Sequence, residues 1–131
     1  MKIEETLRLI ATVERIELIC KYPQKTNLEG LCIEASDEIV AMIKGMGFDD
    51  VEVVEGWFLY DDCYDTYTDC PYEEHCWVVV HSDCDWYVDV TATQFNPCVY
   101  EKNKFDDIIV SQTLPHGFCV EEPIEYLEVE R

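Results

Sequence analysis

The chain has 131 residues, 29 of them acidic and 9 basic, for a formal charge of −20. That length suits one domain spanning residues 1–131 with a single core, and that charge repels phosphate backbones and anionic lipid, so direct nucleic-acid binding and membrane attachment are not expected. No apolar run approaches the length of a bilayer span, and the stretch from Met1 to Cys20 mixes Lys2, Glu4, Glu5, Arg8, Glu14, Arg15 and Glu17 into its apolar residues, leaving no export-signal centre. The expectation is a cytoplasmic protein. Its 8 cysteines are then mainly reduced thiols, with Cys20, Cys84, Cys98 and Cys119 packing as small apolar residues. The acidity reads either as a solubilising surface or as attraction for a basic protein partner.

In chain order, Leu7, Ile10, Ala11, Val13, Ile16, Leu18 and Ile19 recur at helical intervals and predict a first amphipathic helix over 3–19. Pro23 and Asn27 then break the pattern, and Gly30 precedes a second helix whose stripe is Ala35, Ile39, Met42, Ile43 and Met46. Gly45 and Gly47 end it. Beyond Phe48 the pattern turns β-prone: Val51 to Tyr60, His75 to His81 and Trp86 to Phe95 read as strands, with shorter ones at 107–111 and 118–121. Ser82 to Asp85 is turn-like, which predicts a hairpin between the second and third strands. The stretch 61–74 is rich in acids and tyrosines and reads as a loop. Helices first and adjacent strands after argue for α+β with an antiparallel sheet, the second helix packed across it.

The chemistry gathers around Cys32, in the first turn of the second helix. A cysteine is a nucleophile as its thiolate, and a helix N-terminus favours that anion through its free N–H groups and dipole. A base and a group to orient that base are also required. His75 opens one predicted strand and Asp89 lies in the next, between Val88 and Val90, where a carboxylate needs a partner. A hairpin would set imidazole and carboxylate side by side, facing the helix start.

Gly30-Leu31-Cys32 opening a helix, the strand Val51 to Tyr60 with Gly56, His75-Cys76-Trp77, and Trp86-Tyr87-Val88-Asp89-Val90-Thr91 occur in that order. Over residues 27–97 this resembles the transglutaminase-like branch of the papain-like cysteine hydrolases. The resemblance implies a papain-like core in which Cys32 attacks an amide carbonyl, His75 is its base and Asp89 orients His75. It also implies a peptide, isopeptide or glutamine amide as substrate, with hydrolysis favoured over cross-linking and no cofactor, and the acidity of the chain adds the expectation of a protein or peptide of basic character. Val90 stands where proline is common in that family, Cys76 replaces a small residue, and the extra domains and metal sites of the large cross-linking enzymes are missing. The backbone N–H of Cys32 supplies one oxyanion donor, and Asn27 or Gln24 is the candidate for another.

The rival reading is a non-catalytic acidic decoy or inhibitor that occupies a basic partner, of the kind a phage encodes. His81 shares the strand parity of His75 and is the rival base, while His116 lies in a Pro-His-Gly turn. Trp77, Trp86 and Phe95 read as core, whereas Trp57 and Tyr60 could wall a cleft. Cys63, Cys70, His75 and Cys76 lack the paired spacing of a zinc site. Asp61 to Asp65 lacks the glycine and ligand spacing of an EF-hand, so no metal is expected.

Overall fold

A computed structural model describes residues 2–25, 27–61 and 72–123. Two α-helices, α1 (Ile3–Lys21) and α2 (Cys32–Gly45), precede five strands: β1 (Val51–Leu59), β2 (Tyr72–His81), β3 (Asp85–Asp89), β4 (Ile109–Ser111) and β5 (Phe118–Cys119). The strands form one antiparallel sheet in the order β4-β3-β2-β1-β5. The molecule is therefore α+β, with β2 and β3 joined as the expected hairpin and α2 packed against β1 and β2. No helix among the described residues is long and apolar enough to cross a membrane.

Side chains of a strand alternate between faces, and here each face has its own core. On the helical side, Leu7, Ile10, Ala11 and Leu18 of α1 and Ala35, Ile39 and Ile43 of α2 meet Val51, Val78, Val80, Trp86 and Val88. On the other side, Phe58, Trp77, Val79, Phe95 and Phe118 form an aromatic core beneath the 3-10 turns of Ala92–Cys98. Trp77, Trp86 and Phe95 are thus buried packing residues, as expected.

Four expectations are corrected. The face of α1 that carries Val13, Ile16 and Ile19 is exposed along with Leu9, and Glu14 lies on the buried stripe instead. In α2, Met46 is exposed and Met42 only partly buried. The third strand stops at Asp89 rather than Phe95, because the Asp89 carboxylate accepts hydrogen bonds from the Thr91 backbone N–H and hydroxyl at 2.9 and 3.1 Å. A side-chain acceptor two residues upstream replaces the ladder and turns the chain into the 3-10 segment. Tyr72 to Glu74, expected as loop, belong to β2, and the remaining loop assignment over 62–71 lies outside the described residues.

Gly56 faces His75 across the β1/β2 ladder, and a Cβ there would lie 2.5 Å from both the Cys119 carbonyl oxygen and the Trp77 ring. Backbone and a buried indole cannot both yield. Gly56→Ala is expected to cost about 1–3 kcal/mol of stability, in the range of overpacked cores, measured as the shift in the urea midpoint with unchanged slope.

Candidate active site

The turn that delivers Cys32 is locally strained. Leu28 has a positive φ of 55°, in the left-handed region that non-glycine residues disfavour by about 1–2 kcal/mol. Its side chain is fully buried in the helical-side core, which contributes about 1.5–3 kcal/mol and offsets that cost. Gly30 then takes φ 77° without penalty. The chain enters α2 through Leu31, whose side chain caps nothing. The first helical bond runs from Ala35 N–H to the Leu31 carbonyl, so the N–H groups of Cys32, Ile33 and Glu34 have no acceptor within the helix. Cys32 is half-buried at this uncapped positive end.

His75 and Asp89 lie on the aromatic side of the sheet, on neighbouring strands. Val78 pairs with Val88, which places Asp89 diagonally across from His75, within reach of long side chains. The His75 Nε2 to Asp89 Oδ2 distance is 2.6 Å, with the two side chains 0% and 4% exposed. Thr91 holds the other carboxylate oxygen. Edge-on contacts from Phe95 at 4.9 Å and Phe118 at 5.3 Å, with Trp77 at 6.0 Å, shield the imidazole and its bond to Asp89 on the aromatic side of the sheet. In such a dry site the ion pair has few competitors.

Because β3 pairs β2 only over 78–81, the earlier half of β2 is left without a β3 neighbour, and there Cys32 meets it. The Cys32 sulfur feels the thiol and backbone N–H of Cys76 and the His75 ring, each of which favours its anion. These influences, led by the Cys76 thiol and opposed by burial, lower the Cys32 pKa to about 4. Burial is the largest single influence on His75 and disfavours its cation, but the charge and hydrogen bond of Asp89, joined by Cys32, outweigh it and raise its pKa to about 9. Cys76, buried and next to the Cys32 thiolate, is pushed strongly up and stays a thiol, with Ser36 Oγ 3.7 Å from its sulfur. His75 Nδ1 has no hydrogen-bond partner among the described residues. With Nε2 committed to Asp89, the ring couples to the thiolate as a charge without closing a geometric hydrogen bond to it.

The three expected residues therefore come together, and a fourth, Cys76, joins them. Cys76 lies beside His75 in sequence, but its alternation to the opposite face gives no hint that a helix start would reach it there. The other candidates are dispersed. Asn27 and Gln24 are exposed in the turn between the helices. His81 sits at the far end of β2, bound to Asp85 at 2.7 Å and Glu52 at 3.0 Å, so it is not the base for Cys32. His116 pairs with Asp61, which also accepts from the Tyr100 N–H and the Asn103 amide. Tyr60 packs edge-on against Phe58 and Phe95 and donates to Glu73, so it belongs to the aromatic core rather than a cleft on the helical side. Trp57, half-buried against Tyr72, alternates to the face that carries α2. Cys63 and Cys70 of the zinc reading, and most of the calcium reading, lie outside the described residues.

A groove of about 610 Å³ between α2 and β1 is lined by Ile33, the residue after Cys32, and by Asp37, Glu52, Val53, Val54, Glu55 and Val120. Ile33 and Val120 are exposed apolar side chains, and three carboxylates border them. No protein-family model matches the sequence, and comparison with curated proteins and with solved structures finds no match.

Proposed function

We propose that the protein is a cysteine-dependent amide hydrolase built on a transglutaminase-like, papain-like core. The observation that carries this reading is the Cys32 sulfur at an uncapped helix N-terminus, coupled to a buried imidazole whose other nitrogen is fixed by Asp89. In the resting site Cys32 is the thiolate and His75 the imidazolium. The thiolate attacks a carbonyl carbon, the oxyanion forms at the free N–H groups of the α2 start, and His75 passes its proton to the departing amine or ammonia as the C–N bond breaks. The thioester left on Cys32 is then attacked by water that neutral His75 deprotonates, releasing the acid and restoring the thiolate. Asn27 or Gln24 is the proposed second oxyanion donor.

The groove that begins at Ile33 suits a chain segment with an apolar side chain flanked by lysine or arginine, since its apolar residues are bordered by Asp37, Glu52 and Glu55 and the whole chain is strongly acidic. The test is ammonia or new-amine release from glutamine-containing and amide-linked peptides with basic or acidic flanks. Basic-flanked peptides are expected to be the better substrates. Asp37→Lys with Glu55→Lys should lower kcat/KM for them about tenfold or more and spare neutral peptides, and the preference should weaken as salt screens it. A preference for acidic flanks would contradict the assignment of the groove. The charge of −20 also favours a second reading, an acidic decoy for a basic partner, in which Cys32→Ala would keep full biological activity.

A further inference from the structure

The most anomalous side chain outside the active site is Glu14. It occupies the core stripe of α1 between Ala11 and Leu18, is 0% exposed, and neither carboxylate oxygen has a hydrogen-bond partner among the described residues. A lone buried carboxylate is among the most costly groups a core can hold. Its polar neighbours make this worse: one carboxylate oxygen each of Glu14, Glu17 and Glu38 lies within 4.8 Å of the others. Glu17 shares the Glu14 face of α1 at i, i+3 spacing, and Glu38 comes from α2. Among the described residues no lysine, arginine or histidine forms an ion pair with any of the three. Arg8 is paired with Glu4, Arg15 with Asp107, and Lys21 with Glu34.

We propose that Glu14, Glu17 and Glu38 form a binding site for a hard divalent cation that clamps α1 to α2. Oxygen-only donors select calcium, magnesium or manganese over the softer ions that thiolates and imidazoles favour. Glu14 closes the buried side of the site, half-buried Glu38 and exposed Glu17 its outer side, and water completes the coordination shell. Such a clamp would tie the helix that presents Cys32 to the N-terminal helix, without adding a group to the reaction. The competing account is a neutral Glu14: burial, then Glu38, Glu17 and Glu34, raise its pKa to about 9, so a carboxyl group hydrogen-bonded to Glu38 would fill the same space without a metal.

The experiment is titration of the purified full chain with MnCl2 in 0.15 M KCl, by calorimetry and by thermal melting, for the parent, Glu14→Gln and Glu38→Gln. The site predicts saturable binding of one Mn2+ per chain and a rise in Tm of roughly 10 °C at a hundredfold excess over Kd. Calcium or magnesium should compete. Both variants should bind at least tenfold more weakly and lose the Tm rise, and Glu38→Gln keeps the test decisive if Glu14→Gln does not fold. No binding, or weak multi-site binding that is the same in parent and variants, would overturn the proposal and leave the protonated pair. Labelling of Cys32 by a thiol reagent, which does not depend on this site, reports separately on the active-site reading.

Discussion

Cys32→Ala and His75→Ala are each expected to lower kcat for amide cleavage by about 10^6-fold, and Asp89→Asn by about 10^4-fold, the scale on which nucleophile, base and orienting carboxylate act in a well-studied triad. The order follows from the geometry. Removing the sulfur removes the atom that forms the acyl bond. Removing His75 takes away both the charge that supports the thiolate and the proton that the leaving group needs. In Asp89→Asn an amide replaces the 2.6 Å carboxylate partner of Nε2, so the imidazolium loses its counter-charge while the ring remains boxed by Phe95 and Phe118. The Cys32→Ala/His75→Ala double variant should be no worse than either single one, because a base without a nucleophile has nothing to assist. Circular dichroism and urea midpoints separate loss of chemistry from loss of fold. His75→Ala needs that control most, since it empties a buried aromatic-lined position. Additive losses, or turnover retained in folded Cys32→Ala, would refute the unit.

The second large effect is in the pH dependence of thiol reactivity. With Cys32 lowered to about 4, the thiolate is already formed at pH 5, and alkylation by iodoacetamide should change less than about twofold between pH 5 and pH 8. Thiols of ordinary pKa, about 8.5, should speed up roughly 10^3-fold over the same interval. At pH 5 Cys32 should lead them by only about 20- to 40-fold, because a less basic thiolate is also a weaker nucleophile. The flat profile is therefore the sharper signature. His75→Ala should move the Cys32 midpoint upward by about one to three pH units, the usual effect of one adjacent opposite charge. Cys76→Ala should move it upward as well, since the Cys76 thiol is the leading influence. The same pair has a stability consequence. His75 has a folded pKa raised to about 9 from an unfolded value near 6.5, so its contribution is complete below about pH 6.5 and is lost as pH rises through about 9.

The placement of Cys32 at a helix start could be read in advance because a glycine and the onset of a 3.6-residue apolar period coincide there. The adjacency of His75 and Asp89 followed from the turn chemistry of Ser82 to Asp85, which fixes a hairpin. Two parts were hidden for definite physical reasons. Trp86 to Phe95 is continuously β-prone, and what ends the strand is a side-chain acceptor, Asp89, capturing Thr91. Helix α1 carries two apolar stripes, and periodicity alone favours neither. The structure buries the one holding Leu7, Ile10, Ala11 and Leu18 and with it Glu14, leaving Leu9, Val13, Ile16 and Ile19 exposed. The role of Cys76 was hidden because strand alternation assigns it the face opposite His75. Only the missing β3 pairing along the first half of β2 lets one sulfur address both residues.

The claim that Cys32 is an activated acyl acceptor is tested most directly by acylation of the full chain with p-nitrophenyl acetate at pH 5, quenched in acid and mapped by peptide mass spectrometry. The account predicts a burst of one p-nitrophenol per chain, with an acetyl thioester on the peptide that contains Cys32 and on no other cysteine. His75→Ala should lose the burst and Cys32→Ala should show no acetylation. Acetyl groups spread over several cysteines, or a Cys32 peptide that stays unmodified while the burst proceeds, would contradict it.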